Sequence, residues 1–129
     1  MTSPSNASIF RKVATGAFAL AVFTVAVALL TPASALPQTD IWDKLEHAGA
    51  FAGLAFLGFI AFPERTNVWR LVLALIAFGS VCELLQMFVP GRDSSLEDAI
   101  ANALGVLLTS GLWWLGHLAL DWRSAEYKR

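Results

Sequence analysis

The sequence predicts an all-α fold, a four-helix transmembrane bundle with both termini cytoplasmic. Three observations predict it. Of 129 residues, 57% are hydrophobic and only 15% are charged, too little charge to coat a soluble domain of this size. The apolar residues gather in four stretches broken by Pro, Gly and Ser, which punctuate helices. Lysine and arginine are divided unevenly between the two ends that such a bundle presents. With the termini inside, Arg11, Lys12, Arg65, Arg70, Arg123, Lys128 and Arg129 make seven on that side, against Lys44 and Arg92, which make two, on the other. Basic residues collect on the cytoplasmic side of membrane proteins. The loops around Asp40–His47 and Arg92–Asp98 are therefore expected on the outer face.

One membrane domain is expected over residues 13–120, between a tail of residues 1–12 and a tail of residues 121–129. The first helix is expected over about 13–35. Val13 to Leu30 is uncharged, and ~18 residues rising ~1.5 Å each nearly cross the hydrocarbon core. A second reading competes with it. Arg11-Lys12, the apolar run and Ala33-Ser34-Ala35 resemble a cleavable signal peptide. The run is longer than usual for such a peptide and three more spans follow, so an uncleaved helix is preferred.

The second helix is expected over about 40–62, with Thr39 or Asp40 as N-cap. Its uncharged part, Ala48 to Phe62, is too short to span alone, so its first turns are expected among headgroups, where Trp42 is favoured. Gly49-x-x-x-Gly53, with Ala48 and Ala52 beside it, is a weak signal for close helix contact. The third helix is expected over about 68–89, after the turn Pro63–Asn67 and before Pro90-Gly91. The fourth is expected over about 95–120. Ser94 or Ser95 can cap it, and Ser94 with Glu97 has capping-box spacing. Ala101, Gly105 and Thr109 form a small-residue stripe, and Trp113, Trp114 and Trp122 mark the far interface.

Against this background the polar residues stand out. Asp43 and His47 are four apart, Glu83 and Gln86 three apart, and Asp98 and Asn102 four apart, so each pair shares a helix face. Each pair also falls near the outer end of its helix. Glu83 precedes Val89 by six residues, which on a helix ending there places it ~9 Å below the end. A carboxylate at that depth takes up a proton or finds a cation. Asp43, His47, Glu83, Gln86, Arg92, Asp98 and Asn102 are the expected binding residues. His47 and Glu83 are the candidates for any proton transfer, because an imidazole titrates near neutrality. Arg92 suits an anionic group.

The bland reading is that these residues are interhelical glue, at ~0.6 kcal/mol per bond. Lys44, Glu46, Asp93 and Glu97 read as solvated surface, His117 as interfacial, and Cys82 and Met87 as packing. A metal set from His47, Glu83 and Asp98 is conceivable, but one imidazole with scattered carboxylates is not a ligand pattern. No cofactor and no metal are expected. Phosphate-binding loops, nucleophile elbows and nucleic-acid arms are absent from the sequence. The net charge of −1 offers no field for nucleic acid, and the lone Cys82 excludes an internal disulfide.

At these residues the chain resembles the VanZ-like family of small bacterial membrane proteins. The matching pieces are Asp43-Lys44-x-x-His47 with Phe51, Gly79-x-x-x-Glu83-x-x-Gln86, Pro90-x-Arg92, Ser95-x-x-Asp98 and Asn102-x-x-Gly105. Thr109 stands where the family often has a further Gly. The resemblance implies a four-helix domain in the bacterial plasma membrane and no settled reaction. It also implies a link to glycopeptide (teicoplanin-type) susceptibility. The expected function is binding of an envelope lipid headgroup or wall precursor in an outward-facing pocket. Two alternatives stand beside it. One is a membrane enzyme on lipid-linked substrates with His47 as base. The other is an assembly subunit using the Gly49/Gly53 and Ala101/Gly105 faces. The expected partners are membrane lipids and a packing helix or second copy.

Overall fold

The computed structural model describes residues 4–36 and 43–126, with side chains described for 6–36, 43–64, 68–123 and 126. Four α-helices follow one another: α1 over Pro4–Leu30, α2 over Asp43–Ala61, α3 over Arg65–Gln86 and α4 over Leu96–Glu126, with a short 3-10 turn over Ala33–Ala35. The expected caps Thr39 and Asp40, and the interfacial position of Trp42, lie outside the described residues.

The termini of these helices differ from expectation for local reasons. α1 is already helical at Pro4, the first described residue, well before the expected start near Val13. A proline suits the first helical position, where its missing N–H costs nothing. The helix ends at Leu30 because Thr31 precedes Pro32, which disfavours the helical region at Thr31. α3 stops at Gln86, three residues before its expected end, and Gly91 turns the chain with a φ of 74°. Ser95, not Ser94, caps α4. Its Oγ accepts from the Asp98 backbone N–H at 3.0 Å and donates to Asp98 Oδ2 at 2.5 Å. The cap therefore pairs Ser95 with Asp98 through the serine hydroxyl.

Successive helices alternate in direction. The C-terminal ends of α1 and α3 meet the N-terminal ends of α2 and α4, as the bonds of the polar cluster show. At the opposite end Arg11 lies 3.7 Å from Glu64, and Phe59 stacks on Trp113 with ring centroids 5.3 Å apart. α2 touches all three other helices and packs most extensively on α4. Phe51, Leu54, Ala55 and Phe59 of α2 are almost wholly buried, joined in the core by Leu29, Val72, Leu75, Cys82 and Val106.

Among the described residues, three helices are long and apolar enough to cross a membrane: Asn6–Leu30, Val68–Gln86 and Leu96–Arg123. α2 is the central strut and is not one of them. Leu20, Phe23, Leu73, Leu84, Leu108 and Leu112 are exposed on the outer three helices, an apolar surface that fits lipid. The chain is a multi-pass membrane protein.

The close approach at the centre falls on Gly105. A methyl built there would meet the carbonyl of Ala48 and lie 3.0 Å from the Ala52 nitrogen. Methyls built on Gly49 and Gly53 would meet nothing within 4 Å. Among the described residues, the Gly49-x-x-x-Gly53 face therefore packs on no other helix. The small residues that matter on α2 are Ala48 and Ala52. Thr109 keeps α4 against α2, with its hydroxyl 3.0 Å from the Gly105 carbonyl and 3.4 Å from that of Ala52.

The end of α1 is held by side chains from the far side of the bundle. Gln86 Nε2 donates to the Leu29 carbonyl at 3.0 Å, Arg92 Nη2 to that of Ala28 at 2.9 Å, and Arg92 Nε to that of Thr31 at 3.1 Å. These are the carbonyls that a helix C-terminus leaves orphaned, and a guanidinium there also meets the negative end of the helix dipole. Cleavage after Ala35 would free α1 to leave and strip both side chains of their acceptors. The expected intact mass of the purified protein therefore includes residues 1–35. A mass short by that segment would show that α1 is a leader.

Candidate functional site

Five polar side chains are buried together where the four helices meet at one end: His47, Glu83, Gln86, Asp98 and Asn102, each 5% exposed or less. All five are among the residues expected from the sequence. Because α3 ends at Gln86, Glu83 lies a single turn from the helix end, ~4.5 Å, and not the two turns expected.

The bonds within the cluster place a hydrogen on one nitrogen of the imidazole. His47 Nδ1 lies 3.0 Å from Asn102 Oδ1, and an amide oxygen only accepts, so Nδ1 carries the hydrogen. The same Nδ1 is 3.4 Å from Glu83 Oε1, which also accepts from Asn102 Nδ2 at 3.4 Å. Asn102 thus spends one end of its amide on His47 and the other on Glu83. His47 Nε2, left without a hydrogen in the neutral ring, faces Asp43 Oδ1 at 4.0 Å. Two buried carboxylate oxygens, Glu83 Oε2 and Asp98 Oδ1, have no hydrogen-bond partner.

Above the cluster lies a cavity of about 230 Å³, lined by Ala33, Asp43, His47, Gln86, Arg92 and Asp98 among others. Its lining carries Asp43, Asp93 and Asp98 against Arg92, so it is acidic overall. Glu83 and Asn102 support the floor and do not line it. The structure brings Asp43, His47, Gln86, Arg92 and Asp98 to one cavity and sets Glu83 and Asn102 behind them. Lys44, at the first turn of α2, pairs with Glu97 at 2.7 Å and lies 3.8 Å from Asp98 Oδ1. The hydrogen bond to Glu97 holds the Lys44 ammonium above its ordinary pKa.

Arg92 has a different task from the one expected. Two of its donor groups are committed to the end of α1. The parts that sequence reading missed are backbone carbonyls, at Ala28, Leu29 and Thr31, which leave no mark on residue type. A second cavity, about 480 Å³, lies at the opposite end between α3 and α4, walled by Trp69, Trp113 and Trp114. His117 lines it, but its Nδ1 donates to the Trp113 carbonyl at 2.9 Å, and no carboxylate is among the described residues that line it.

Fold and site together define a helical multi-pass membrane protein with a buried, hydrogen-bonded polar cluster beneath an acidic cavity at one end. The chain belongs to the VanZ/LLP1 family, whose model matches residues 3–117. No curated protein and no solved structure matches it.

Proposed function

We propose that this VanZ/LLP1-family protein binds a polar group of the cell envelope, a lipid headgroup or a lipid-linked wall precursor, in the cavity above His47. The proposal puts this end outside the plasma membrane of a bacterium, on the seven-to-two division of basic residues. One observation carries it. Side chains from α2, α3 and α4 converge on a cavity, and the buried Oδ1 of its lining residue Asp98 accepts no hydrogen bond, the Lys44 ammonium standing off at 3.8 Å. Interhelical glue needs neither a cavity nor an orphaned carboxylate oxygen, because buried polar groups are otherwise satisfied. Binding without reaction is the version favoured, since no Ser, Thr or Cys is among the described residues that line the cavity. By holding such a group, the protein would alter susceptibility to glycopeptides of the teicoplanin type.

The test is mass spectrometry of lipids that co-purify with the detergent-solubilised protein. Glu83→Gln keeps the shape of the floor and removes its charge. The expected result is a lipid class enriched on the wild type and depleted at least several-fold on the variant. Identical lipid profiles from two equally folded proteins would defeat the proposal. His47→Gln separates binding from catalysis: lipid retained while envelope phenotype is lost would make His47 a proton carrier.

A further inference from the structure

The same end of the bundle holds a set of groups that headgroup binding does not require. Asp43, His47 and Asp98 each present a ligand atom, and these atoms lie within 4.8 Å of one another. It is the one such trio of His, Cys, Asp or Glu among the described residues. We propose that Asp43, His47 and Asp98 form a divalent-cation site, of the zinc type, with an open position toward the cavity.

Each ligand is prepared in a way that a merely structural role leaves unexplained. His47 donates Nδ1–H to Asn102 Oδ1, with Glu83 Oε1 close behind. That leaves the lone pair on Nε2, the nitrogen that faces Asp43. Metal-binding imidazoles are held in this manner, with the second nitrogen tied to a carbonyl or carboxylate that fixes tautomer and ring angle. Asp98 is the second prepared ligand. Its Oδ2 belongs to the helix cap through Ser95, while Oδ1 is buried without a hydrogen-bond partner on a residue that lines the cavity. The capping role explains one oxygen only. Lys44 Nζ, 3.8 Å from that Oδ1, is too far to satisfy it and is bonded to Glu97.

Asp43 closes the set. It is half-exposed or more, at 60% of its side chain, and sits one helical turn before His47. Tetrahedral zinc with bonds of about 2.1 Å needs ligand atoms about 3.4 Å apart. The separation of 4.0 Å between His47 Nε2 and Asp43 Oδ1 is therefore too long by a few tenths of an ångström. A rotation of the exposed Asp43 side chain covers that gap, and the other separations in the trio, up to 4.8 Å, close as the ligands draw in on the ion.

Charge balance and donor type select the ion. The cavity lining carries three aspartates and one arginine, an excess of two negative charges that one divalent cation cancels. One imidazole nitrogen and two carboxylate oxygens suit zinc better than magnesium, which prefers oxygen and keeps its water. Three protein ligands leave a fourth position for water or an anionic oxygen. Glu83 lies on the Nδ1 side of His47 and is not a ligand, so the trio differs from the set considered from sequence. The site stands whether or not the cavity also takes an envelope headgroup.

The test uses the full-length protein in detergent, stripped with chelator and then titrated with Zn²⁺ by calorimetry. Elemental analysis after desalting gives the stoichiometry, and Co²⁺ substitution gives a visible spectrum that reports coordination. The expected result is about one equivalent per chain, with binding weakened at least tenfold in both Asp43→Asn and Asp98→Asn and unchanged in Glu64→Gln, at the opposite end of the bundle. Asp43 is exposed, so its substitution leaves the fold intact and keeps the test sharp if Asp98→Asn unfolds. Absence of saturable binding, or affinity indifferent to Asp43→Asn, overturns the site. Neither result depends on which lipid co-purifies.

Discussion

Gly105→Leu is expected to abolish the folded monomer, while Gly53→Leu leaves it unchanged. The two glycines look alike in the sequence, each set among small residues on an apolar helix. Their surroundings are opposite. The Cα of Gly105 sits against the backbone of α2, so that even a methyl would meet the Ala48 carbonyl and approach the Ala52 nitrogen at 3.0 Å. The obstacle is main chain inside a helix and cannot rotate away. Overpacking a core with extra methylenes costs about 1–3 kcal/mol where side chains can yield, and here they cannot. The α2–α4 contact is the most extensive in the bundle, so its loss takes the structure with it. Size-exclusion chromatography and thermal melting in detergent check this. Gly105→Ala is expected to lower the melting temperature and Gly105→Leu to give only aggregate. A Leu variant at Gly105 that melts like wild type would show that α2 and α4 do not meet there. If Gly53→Leu instead disrupts a larger complex, the open Gly49/Gly53 face is a docking surface.

That contrast shows how much of the molecule was legible in its sequence. Four helices and the membership of the polar cluster follow from composition and spacing, because a charged group in hydrocarbon is conspicuous. The choice between Gly49/Gly53 and Gly105 is not, since a 3.6-residue period says which residues share a face and not which face meets a neighbour. Arg92 is the sharper case. Its guanidinium reads as a ligand group because that fork suits phosphate or carboxylate, and no residue type announces that three carbonyls at the end of α1 need donors. The depth of Glu83 was read from a helix that continues to Val89. The chain leaves the helix at Gln86, because Pro90 and Gly91 start the turn a few residues early. That Asp43 and Asp98 share a cavity is expected from the sequence, whereas which of the polar residues line it and which stand behind it depends on how helix ends meet in space.

Asn102→Leu is expected to cost about 3–5 kcal/mol, far above the ~0.6 kcal/mol of an average interhelical hydrogen bond in a membrane. The difference comes from what the amide leaves behind. Asn102 is 1% exposed, and it serves His47 through Oδ1 and Glu83 through Nδ2. Leucine has similar bulk and satisfies neither. Glu83, 4% exposed, then keeps a buried charge with one donor fewer, or takes up a proton. His47 loses the acceptor that holds Nδ1–H and with it the direction of Nε2. Glu83→Gln in the Asn102→Leu background removes the uncompensated charge and is expected to restore part of the loss, a coupling that independent glue bonds would not show. The measurement is a double-mutant cycle from reversible unfolding in mixed detergent. An Asn102→Leu penalty near 0.6 kcal/mol, with no coupling to Glu83→Gln, would mean that the cluster is only glue. A penalty of several kcal/mol with strong coupling means that α4 carries Asn102 to hold one imidazole in one tautomer, which is the arrangement a ligand at Nε2 requires.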